Sequence, residues 1–174
     1  MNLVINGAEY ELGSPPLTSL LHVLREEVGI LSPKAGCQQG GCGTCTVLVD
    51  GEPRRACLTP VGMLEGATVT TVEGLGDPQN LSPVQAAFHE HYAAQCGFCT
   101  SGMILAAQGL LARKPDASRD DVKEALAGHF CRCTGYVKIV DAVVAAATGA
   151  VSTERPEPEG MAGEPEVVIP GSPA

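Results

Sequence analysis

The chain has few aromatic residues and no tryptophan. Phenylalanine and tyrosine together account for 3% of its 174 residues, although hydrophobic residues make up 44%. A core can therefore form, but small apolar side chains must fill most of it. This composition favours one or two compact modules over a single large core.

Basic residues are also scarce. Eleven lysines and arginines face twenty aspartates and glutamates, which gives a net charge of −9, and no run of basic residues occurs. Nucleic acid is therefore not an expected partner. The acidic excess mainly favours solubility.

Export and membrane signals are missing from the pattern as well. Residues 1–6 show neither a charged region nor an apolar stretch typical of a secretory signal, and no apolar run reaches membrane-spanning length. We therefore expect a cytoplasmic protein without membrane insertion. In that setting, eight cysteines indicate metal ligands or redox chemistry rather than a disulfide framework.

Residues 151–174 form an acidic, proline-rich tail. They contain five glutamates, five prolines and one arginine, and they show no periodicity. Composition favours a solvated, disordered segment. The alternative is an arm that lies on a partner subunit.

The first part of the chain, residues 1–75, is predicted to be a β-rich domain. Asn6-Gly7 and Asp50-Gly51 each mark a hairpin turn between β-forming runs, and residues 68–72 predict one more strand. Apolar residues at a helical period over 19–28 predict a helix, with Thr18 as its N-cap and Gly29 just beyond its end.

The second part, residues 76–150, is predicted to be helical. A helix should begin at Ser82, where proline and a capping-box glutamine follow. Further helices are expected over 101–111, from Ser118 to about 127, and over 137–147 with Gly149 as the stop. The fold class expected for the whole chain is therefore α+β, with two domains.

Four cysteines of the first domain have the spacing of a plant-type [2Fe–2S] site. Cys37, Cys42, Cys45 and Cys57 follow the pattern C-x4-C-x2-C with a distant fourth cysteine. Glycines at 36, 40, 41 and 43 let the loop wrap closely around an anionic cluster and direct its amides at sulfur. Zinc sites made of four cysteines usually pair C-x2-C units, so zinc is the weaker alternative.

The other four cysteines, Cys96, Cys99, Cys131 and Cys133, form a second candidate set. Their spacing, C-x2-C followed far along the chain by C-x-C, also allows zinc or a four-iron cluster. Both pairs lie next to predicted helix ends, and helix N-termini suit an anionic cluster. A cluster where helix ends meet is therefore physically reasonable, but spacing alone leaves the three alternatives open.

Three segments together resemble the iron–sulfur subunit of the molybdenum hydroxylases. They are the glycine-rich loop over 36–45, Gln-Cys-Gly-Phe-Cys over 95–99, and Cys-Arg-Cys-Thr-Gly-Tyr over 131–136. The family includes xanthine dehydrogenase, aldehyde oxidoreductase, carbon monoxide dehydrogenase and 4-hydroxybenzoyl-CoA reductase. Succinate dehydrogenase subunits open with similar spacing, but their dense later cysteine runs do not occur in this sequence.

The resemblance implies a β-grasp plant-type ferredoxin domain followed by a four-helix bundle, each holding one [2Fe–2S] cluster. It also implies a large partner with molybdopterin and a medium partner with FAD, in an (αβγ)2 assembly. Gln95 and Cys133 would contact the pterin. Electrons would pass from molybdenum to the second cluster, then to the first, then to flavin, or in reverse in reductases. The chain itself would hold no catalytic residue.

Several other residues receive weaker predictions. Gln95, taken alone, could cap a helix or satisfy a neighbouring backbone group. His89 and His91 are expected on a solvated face, because positions two apart on a helix point about 200° apart. Arg54 and Arg55 are expected at the surface or at a partner.

Two further positions and two other functions stay open. Lys34 could lie near the first cluster or be solvated, and Ser101 replaces a proline common in the family, which could loosen the start of a helix. The first alternative function is a free-standing two-cluster ferredoxin or redox sensor. The second is a zinc-bound interaction module.

Overall fold

The computed structural model describes residues 1–152, and the chain is α+β. The strands are β1 (Asn2–Ile5), β2 (Ala8–Glu11), β3 (Thr46–Val49), β4 (Glu52–Arg55) and β5 (Thr68–Thr70). The helices are α1 (Leu20–His22), α2 (Pro83–Glu90), α3 (Thr100–Arg113), α4 (Arg119–Leu126) and α5 (Val137–Thr148). Most of the acidic tail lies outside the described residues.

The five strands form one mixed sheet in the order β2-β1-β5-β3-β4. Strands β1 and β5 are parallel, and all the other neighbours are antiparallel. Both predicted hairpin turns are present, and Asn6, Gly7, Asp50 and Gly51 all have positive φ. Asparagine, aspartate and glycine tolerate that conformation best, so the sequence signal and the observed turns have the same cause.

The predicted helix over 19–28 is present but differs in two details. Ser19, rather than the expected Thr18, is the N-cap, because its side chain accepts a hydrogen bond from the His22 amide. After His22 the helix continues as a π-helix over Val23–Glu27, and Gly29 follows with φ of +83°. Buried leucines and valines of this segment pack on the sheet and form the core of the first half.

The helices of the second half begin where the sequence predicts. Ser82 and Ser118 each form a complete capping box, with Gln85 and Asp121 as the reciprocal partners. Helix α3 is buried along most of its length and lies at the centre of the second core. Within residues 1–152, no helix is long and apolar enough to cross a membrane.

Helix α3 also joins the two halves of the structure. An added Cβ at Gly102 would lie 2.3 Å from the carbonyl oxygen of Gly43, and one at Gly109 would lie 2.4 Å from Pro53 Cγ. Only glycine permits so close an approach of the helix to the loop and to β4. As a result, the loop that carries the first cysteines lies against the N-terminal end of α3, where the second cysteine set begins.

Candidate metal centres

The first cysteine set (Cys37, Cys42, Cys45 and Cys57) lies on the loop before β3 and on the turn after β4. The hairpin of β3 and β4 returns Cys57 to the loop. The amides of Gln39 and Cys42 donate to Cys37 Sγ over 3.5 and 3.3 Å. The Gln39 amide and the neighbouring Cys42 thiol lower the pKa of Cys37 to about 7. The loop therefore favours negative charge on sulfur.

The second cysteine set (Cys96, Cys99, Cys131 and Cys133) lies between helix ends. Cys99 is the N-cap residue of α3, and Cys131 and Cys133 lie on the loop between α4 and α5. The hydroxyl and amide of Thr134 donate to Cys131 Sγ over 3.1 and 3.4 Å. Burial by itself raises the pKa of Cys131, but these hydrogen bonds outweigh it and the pKa falls to about 7.

Each set also contains a buried thiol with a high pKa. Burial raises the pKa of Cys45 to about 11 and that of Cys99 to about 12. These two thiols lose their protons readily only when a cation compensates the buried charge. Each set thus combines a thiol of high pKa with one of low pKa: Cys45 with Cys37 in the first, and Cys99 with Cys131 in the second. Such a set is suited to binding a metal with release of protons.

The thiols are arranged in pairs, and this arrangement fits a two-iron cluster. Cys96 and Cys133 have their sulfurs 3.6 Å apart. Cys99 lies beside Cys131, Cys37 beside Cys42, and Cys45 beside Cys57. A [2Fe–2S] cluster held by four cysteines takes two thiolates on each iron, whereas a four-iron cluster takes one. Among the described residues, no group of three or more His, Cys, Asp or Glu side chains has the arrangement that a metal ion requires.

A cavity of about 300 Å³ provides space for a cluster at the second set. All four cysteines of that set line it, together with the largely exposed Phe98 and Phe130. Gly36, Cys42 and Thr44 of the first loop form the remaining wall. The second site is therefore bounded directly by the first, without an intervening layer of protein.

Tyr136 shapes the loop that carries Cys131 and Cys133. Its hydroxyl accepts a hydrogen bond from the Cys131 amide over 2.8 Å and donates to the His129 carbonyl over 3.2 Å. Gly135 and Tyr136 both have positive φ, at +65° and +69°. For a tyrosine this conformation is costly, and the two hydrogen bonds offset that cost.

Gln95 is exposed at the edge of the second cysteine set. Its side chain is exposed, beside the exposed Cys96, and it makes no hydrogen bond within the described residues. A helix-capping role, which the sequence alone left open, therefore receives no support. His89 is exposed, as expected for a solvated face, and Lys34 Nζ donates to the Leu31 carbonyl.

Arg54 is exposed as expected, whereas Arg55 is only partly exposed and has partners within the chain that the sequence did not predict. Arg55 faces the second half of the structure: its Nη2 donates to the Gly128 carbonyl over 2.9 Å, and its Nη1 contacts the Thr46 hydroxyl and His129 Nε2. Strand alternation could not reveal this, because the acceptors in the second half, Gly128 and His129, lie more than 70 positions away.

Ser101 was also underestimated. Helix α3 starts one residue earlier, at Thr100, so serine at this position does not shorten the helix. Its hydroxyl donates to the Ser32 carbonyl over 2.7 Å, and this hydrogen bond joins α3 to the first half. No sequence pattern signals a bond between these two positions.

Two known families match most of the chain. Residues 3–68 match the family described as "2Fe-2S iron-sulfur cluster binding domain", and residues 71–144 match "[2Fe-2S] binding domain". Each match contains one complete cysteine set. Both descriptions name a 2Fe–2S cluster, which favours that cofactor over zinc or a four-iron cluster.

Individual relatives agree with these families. Aldehyde oxidoreductase of Megalodesulfovibrio gigas is 44% identical over 158 residues, which are 89% of this chain but 17% of that protein. The structure of quinoline 2-oxidoreductase from Pseudomonas putida 86 superposes with a TM-score of 0.81 at 45% identity, covering 86% of this chain and 94% of that chain. The nicotinate dehydrogenase small FeS subunit of Eubacterium barkeri is 42% identical over 143 residues, 82% of this chain and 91% of that subunit. The chain therefore belongs to the [2Fe–2S] iron–sulfur subunits of the molybdenum hydroxylase family.

Proposed function

We propose that this chain carries electrons between a molybdopterin centre on a large partner and FAD on a medium partner. The observation that supports this most strongly is the pairing of the eight thiols into two sites that share one wall. The proposal includes a β-grasp ferredoxin domain over 1–75 and a four-helix bundle over 76–150. The mixed sheet of the first half and helices α2–α5 of the second half support that division.

The first cluster would be held by Cys37, Cys42, Cys45 and Cys57, and the second by Cys96, Cys99, Cys131 and Cys133. When bound, the two clusters supply the one-electron chemistry, and this chain contributes no catalytic residue. Its side chains bind the irons, and the hydroxyl of Thr134 donates to sulfur. Burial of Cys45 and Cys99 keeps water away from one side of each site.

The exposure of the two sites supports two separate partners. Gln95, Cys96 and Cys133 are all exposed at the second site. We assign Gln95 and Cys133 to contact with the pterin of the large partner, and the first site to the side of FAD. Complexes of this kind would form an (αβγ)2 assembly, and a cytoplasmic location remains the prediction.

The test is the metal content of the tagged chain, purified gently from its native host. We expect about four irons per chain, because two sites of the four-cysteine type each hold two irons. Molybdenum and two larger chains should co-purify. Four irons without molybdenum or partners would instead identify a free-standing two-cluster ferredoxin or sensor. Zinc in place of iron would contradict the proposal altogether.

A substitution within the second site tests the electron path. We expect Cys96→Ser to remove the electron paramagnetic resonance signal of the second cluster and to stop turnover of the complex. The first cluster and co-purification of the partners should persist. Cys57→Ser provides the matched variant, because it should remove the first cluster and leave the second. Full turnover by either variant would exclude the proposed path.

A further inference from the structure

Three side chains form a buried polar junction between the two halves: Thr46, Arg55 and His129. Thr46 follows Cys45 directly, Arg55 lies two residues before Cys57, and His129 lies two residues before Cys131. Thr46 is fully buried and His129 is 5% exposed. The proposed electron path does not use any of these three side chains.

Hydrogen bonds connect Arg55 to both other members of the junction, and the Thr46 hydroxyl also lies 3.0 Å from His129 Nε2. The Thr46 hydroxyl donates to the Gly43 carbonyl over 2.7 Å and accepts from Arg55. Arginine can only donate, so His129 Nε2, 2.9 Å from Arg55 Nη1, is its acceptor. The second nitrogen of Arg55, Nη2, donates to the Gly128 carbonyl. One guanidinium group thus bonds to both halves of the structure.

The ring proton of His129 then lies on Nδ1, which is buried without a hydrogen-bond partner among the described residues. Leaving a buried polar atom unpaired is unfavourable, and native structures contain few such atoms. The ring nevertheless stays on Gly43, where an added Cβ would lie 2.5 Å from His129 Cδ2. The imidazole thus packs against the first cysteine loop even though its Nδ1 hydrogen has no acceptor there.

The junction lies beside the closest link between the two sites. The residue after His129, Phe130, donates its amide hydrogen to the Cys42 carbonyl over 2.9 Å. The carbonyl of His129 accepts from Tyr136, whose hydroxyl also holds the Cys131 amide. A displacement of His129 would therefore move the loop with Cys131 and Cys133 relative to the loop with Cys42.

We propose that Arg55 and His129 are positioning residues that fix the separation of the two clusters. They do so by holding the loop of 128–133 on the first cysteine loop. This inference rests on the proposed function only in that both sites hold a cluster. The hydrogen bonds from Arg55 to Thr46 and His129 are charge-assisted and partly buried, so they resist displacement better than an exposed ion pair. The third bond, to the Gly128 carbonyl, is exposed.

A natural control exists in the same contact between the halves. Arg113 on α3 pairs with Glu52 on β4 over 2.7 Å, and both side chains are 54% exposed. This ion pair spans the same two halves but touches neither cysteine loop. Arg113→Met should therefore leave the separation of the clusters unchanged, whereas Arg55→Met should alter it.

The experiment uses the intact complex, or the iron-loaded chain where no partners co-purify. Two readouts are measured after reduction: the magnetic interaction between the two reduced clusters, and hydrogen exchange in the peptide that contains Phe130. For Arg55→Met and His129→Leu we expect weakened spin–spin splitting and about tenfold faster exchange, at an unchanged four irons per chain. A purely stabilising role would lower the melting temperature without changing the splitting in the folded protein.

Milder substitutions cover the case in which these variants fail to fold. His129→Gln keeps an acceptor for Arg55 and should retain most of the spin–spin splitting. Arg55→Lys keeps the charge but loses the second donor group, which bonds to the Gly128 carbonyl, and should show a splitting between those of the unmodified protein and Arg55→Met. Normal splitting and exchange in Arg55→Met, or in Arg55→Lys if Arg55→Met does not fold, would overturn the proposal. Iron content and co-purifying partners, measured on the same samples, show separately whether the proposed function itself has failed.

Discussion

The amide of Phe130 donates a hydrogen bond to the carbonyl oxygen of Cys42 over 2.9 Å. These residues are 88 positions apart, yet one is a proposed ligand of the first cluster and the other precedes Cys131, a proposed ligand of the second. The bond is made by backbone atoms, so its geometry does not depend on a flexible side chain. This backbone contact brings the two cysteine loops together, and the side chains of Arg55 and His129 lie beside it.

Replacement of Thr134 by valine should lower the reduction potential of the second cluster. Thr134 donates to Cys131 Sγ, and such hydrogen bonds stabilise the more negative, reduced state. Loss of one hydrogen bond, at about 0.5–1.5 kcal/mol, corresponds to a shift of roughly 20–60 mV for a one-electron couple. Redox titration followed by electron paramagnetic resonance measures the shift.

The first cluster is the internal control for this substitution. No Thr134 contact reaches the first cysteine set, so its potential in Thr134→Val should equal that of the unmodified protein. Equal shifts at both clusters would mean that the substitution disturbs the whole fold. No shift at the second cluster would contradict a hydrogen bond between Thr134 and the ligand sulfur.

In the iron-free chain, the cysteines should differ in their rates of alkylation. At pH 7, Cys37 and Cys131 should be about half thiolate, because the pKa of each lies near 7. Cys45 and Cys99, with pKa values of about 11 and 12, should stay protonated and react slowly. Raising the pH from 6 to 8 should take Cys37 and Cys131 from about one tenth to about nine tenths thiolate, whereas Cys45 and Cys99 should stay almost fully protonated. Mass spectrometry after brief iodoacetamide treatment measures the rates.

Unfolding provides the reference for that experiment. In concentrated guanidinium chloride the local hydrogen bonds and burial are lost, and all eight cysteines should react at similar rates. A folded, iron-free sample in which Cys45 or Cys99 reacts as fast as Cys37 would contradict the environments described for these thiols.

Replacement of Gly102 by alanine should destabilise the protein despite the better helix propensity of alanine. The new Cβ would lie 2.3 Å from the Gly43 carbonyl oxygen and would force α3 away from the first cysteine loop. Overpacking of this kind costs about 1–3 kcal/mol, against a gain of about 1 kcal/mol from propensity. Chemical denaturation of the iron-loaded protein measures the net effect.

Gly13→Ala is the matched control for Gly102→Ala. The nearest atom to an added Cβ at Gly13 is Glu27 Oε1 at 3.7 Å, which is ordinary van der Waals contact. We expect its stability to change by less than about 0.5 kcal/mol. Equal stability of both alanine variants would show that α3 can move away from the loop without cost.

Replacement of Ser101 by alanine should cost about 1–2 kcal/mol of unfolding free energy. The substitution removes the hydrogen bond to the Ser32 carbonyl and leaves that partly buried oxygen without the serine donor. Thr148→Ala removes a comparable hydroxyl, which donates to the Ala145 carbonyl at an exposed position, and should change stability by less than about 0.5 kcal/mol. A Ser101→Ala variant as stable as Thr148→Ala would exclude a structural role for the serine.

Local chemistry explains why so much of the fold was predictable. Asn6-Gly7 and Asp50-Gly51 determine their turns through backbone conformations that few residues tolerate, and Ser82 and Ser118 cap helices with partners three residues away. Each of these signals acts within four or five residues. One exception is equally local, because Ser19 competes with Thr18 for the same cap. The π-helix of Val23–Glu27 is the other, and no sequence pattern used above distinguishes it from an α-helix.

In the candidate sites, too, local features were predictable from the sequence and contacts between the halves were not. Cysteine spacing, glycine content and the Gln95–Cys99 and Cys131–Tyr136 motifs identify the ligands from the sequence, because a cluster requires particular residue types at particular separations. The roles of Arg55, His129 and Ser101 could not be predicted, since each depends on a partner in the other half of the chain.

The sequence by itself determined which family the chain resembles, and it predicted which cysteines form each set. For the second set, the cofactor followed from that resemblance rather than from the spacing. Only the tertiary structure decided how the two sets lie relative to each other. The physical reason is that the contacts between the halves, from Gly102 on Gly43 to the buried junction of Thr46, Arg55 and His129, join residues far apart in the chain. No local pattern encodes such distances, and they arise only when both cores have formed and α3 has packed against the sheet.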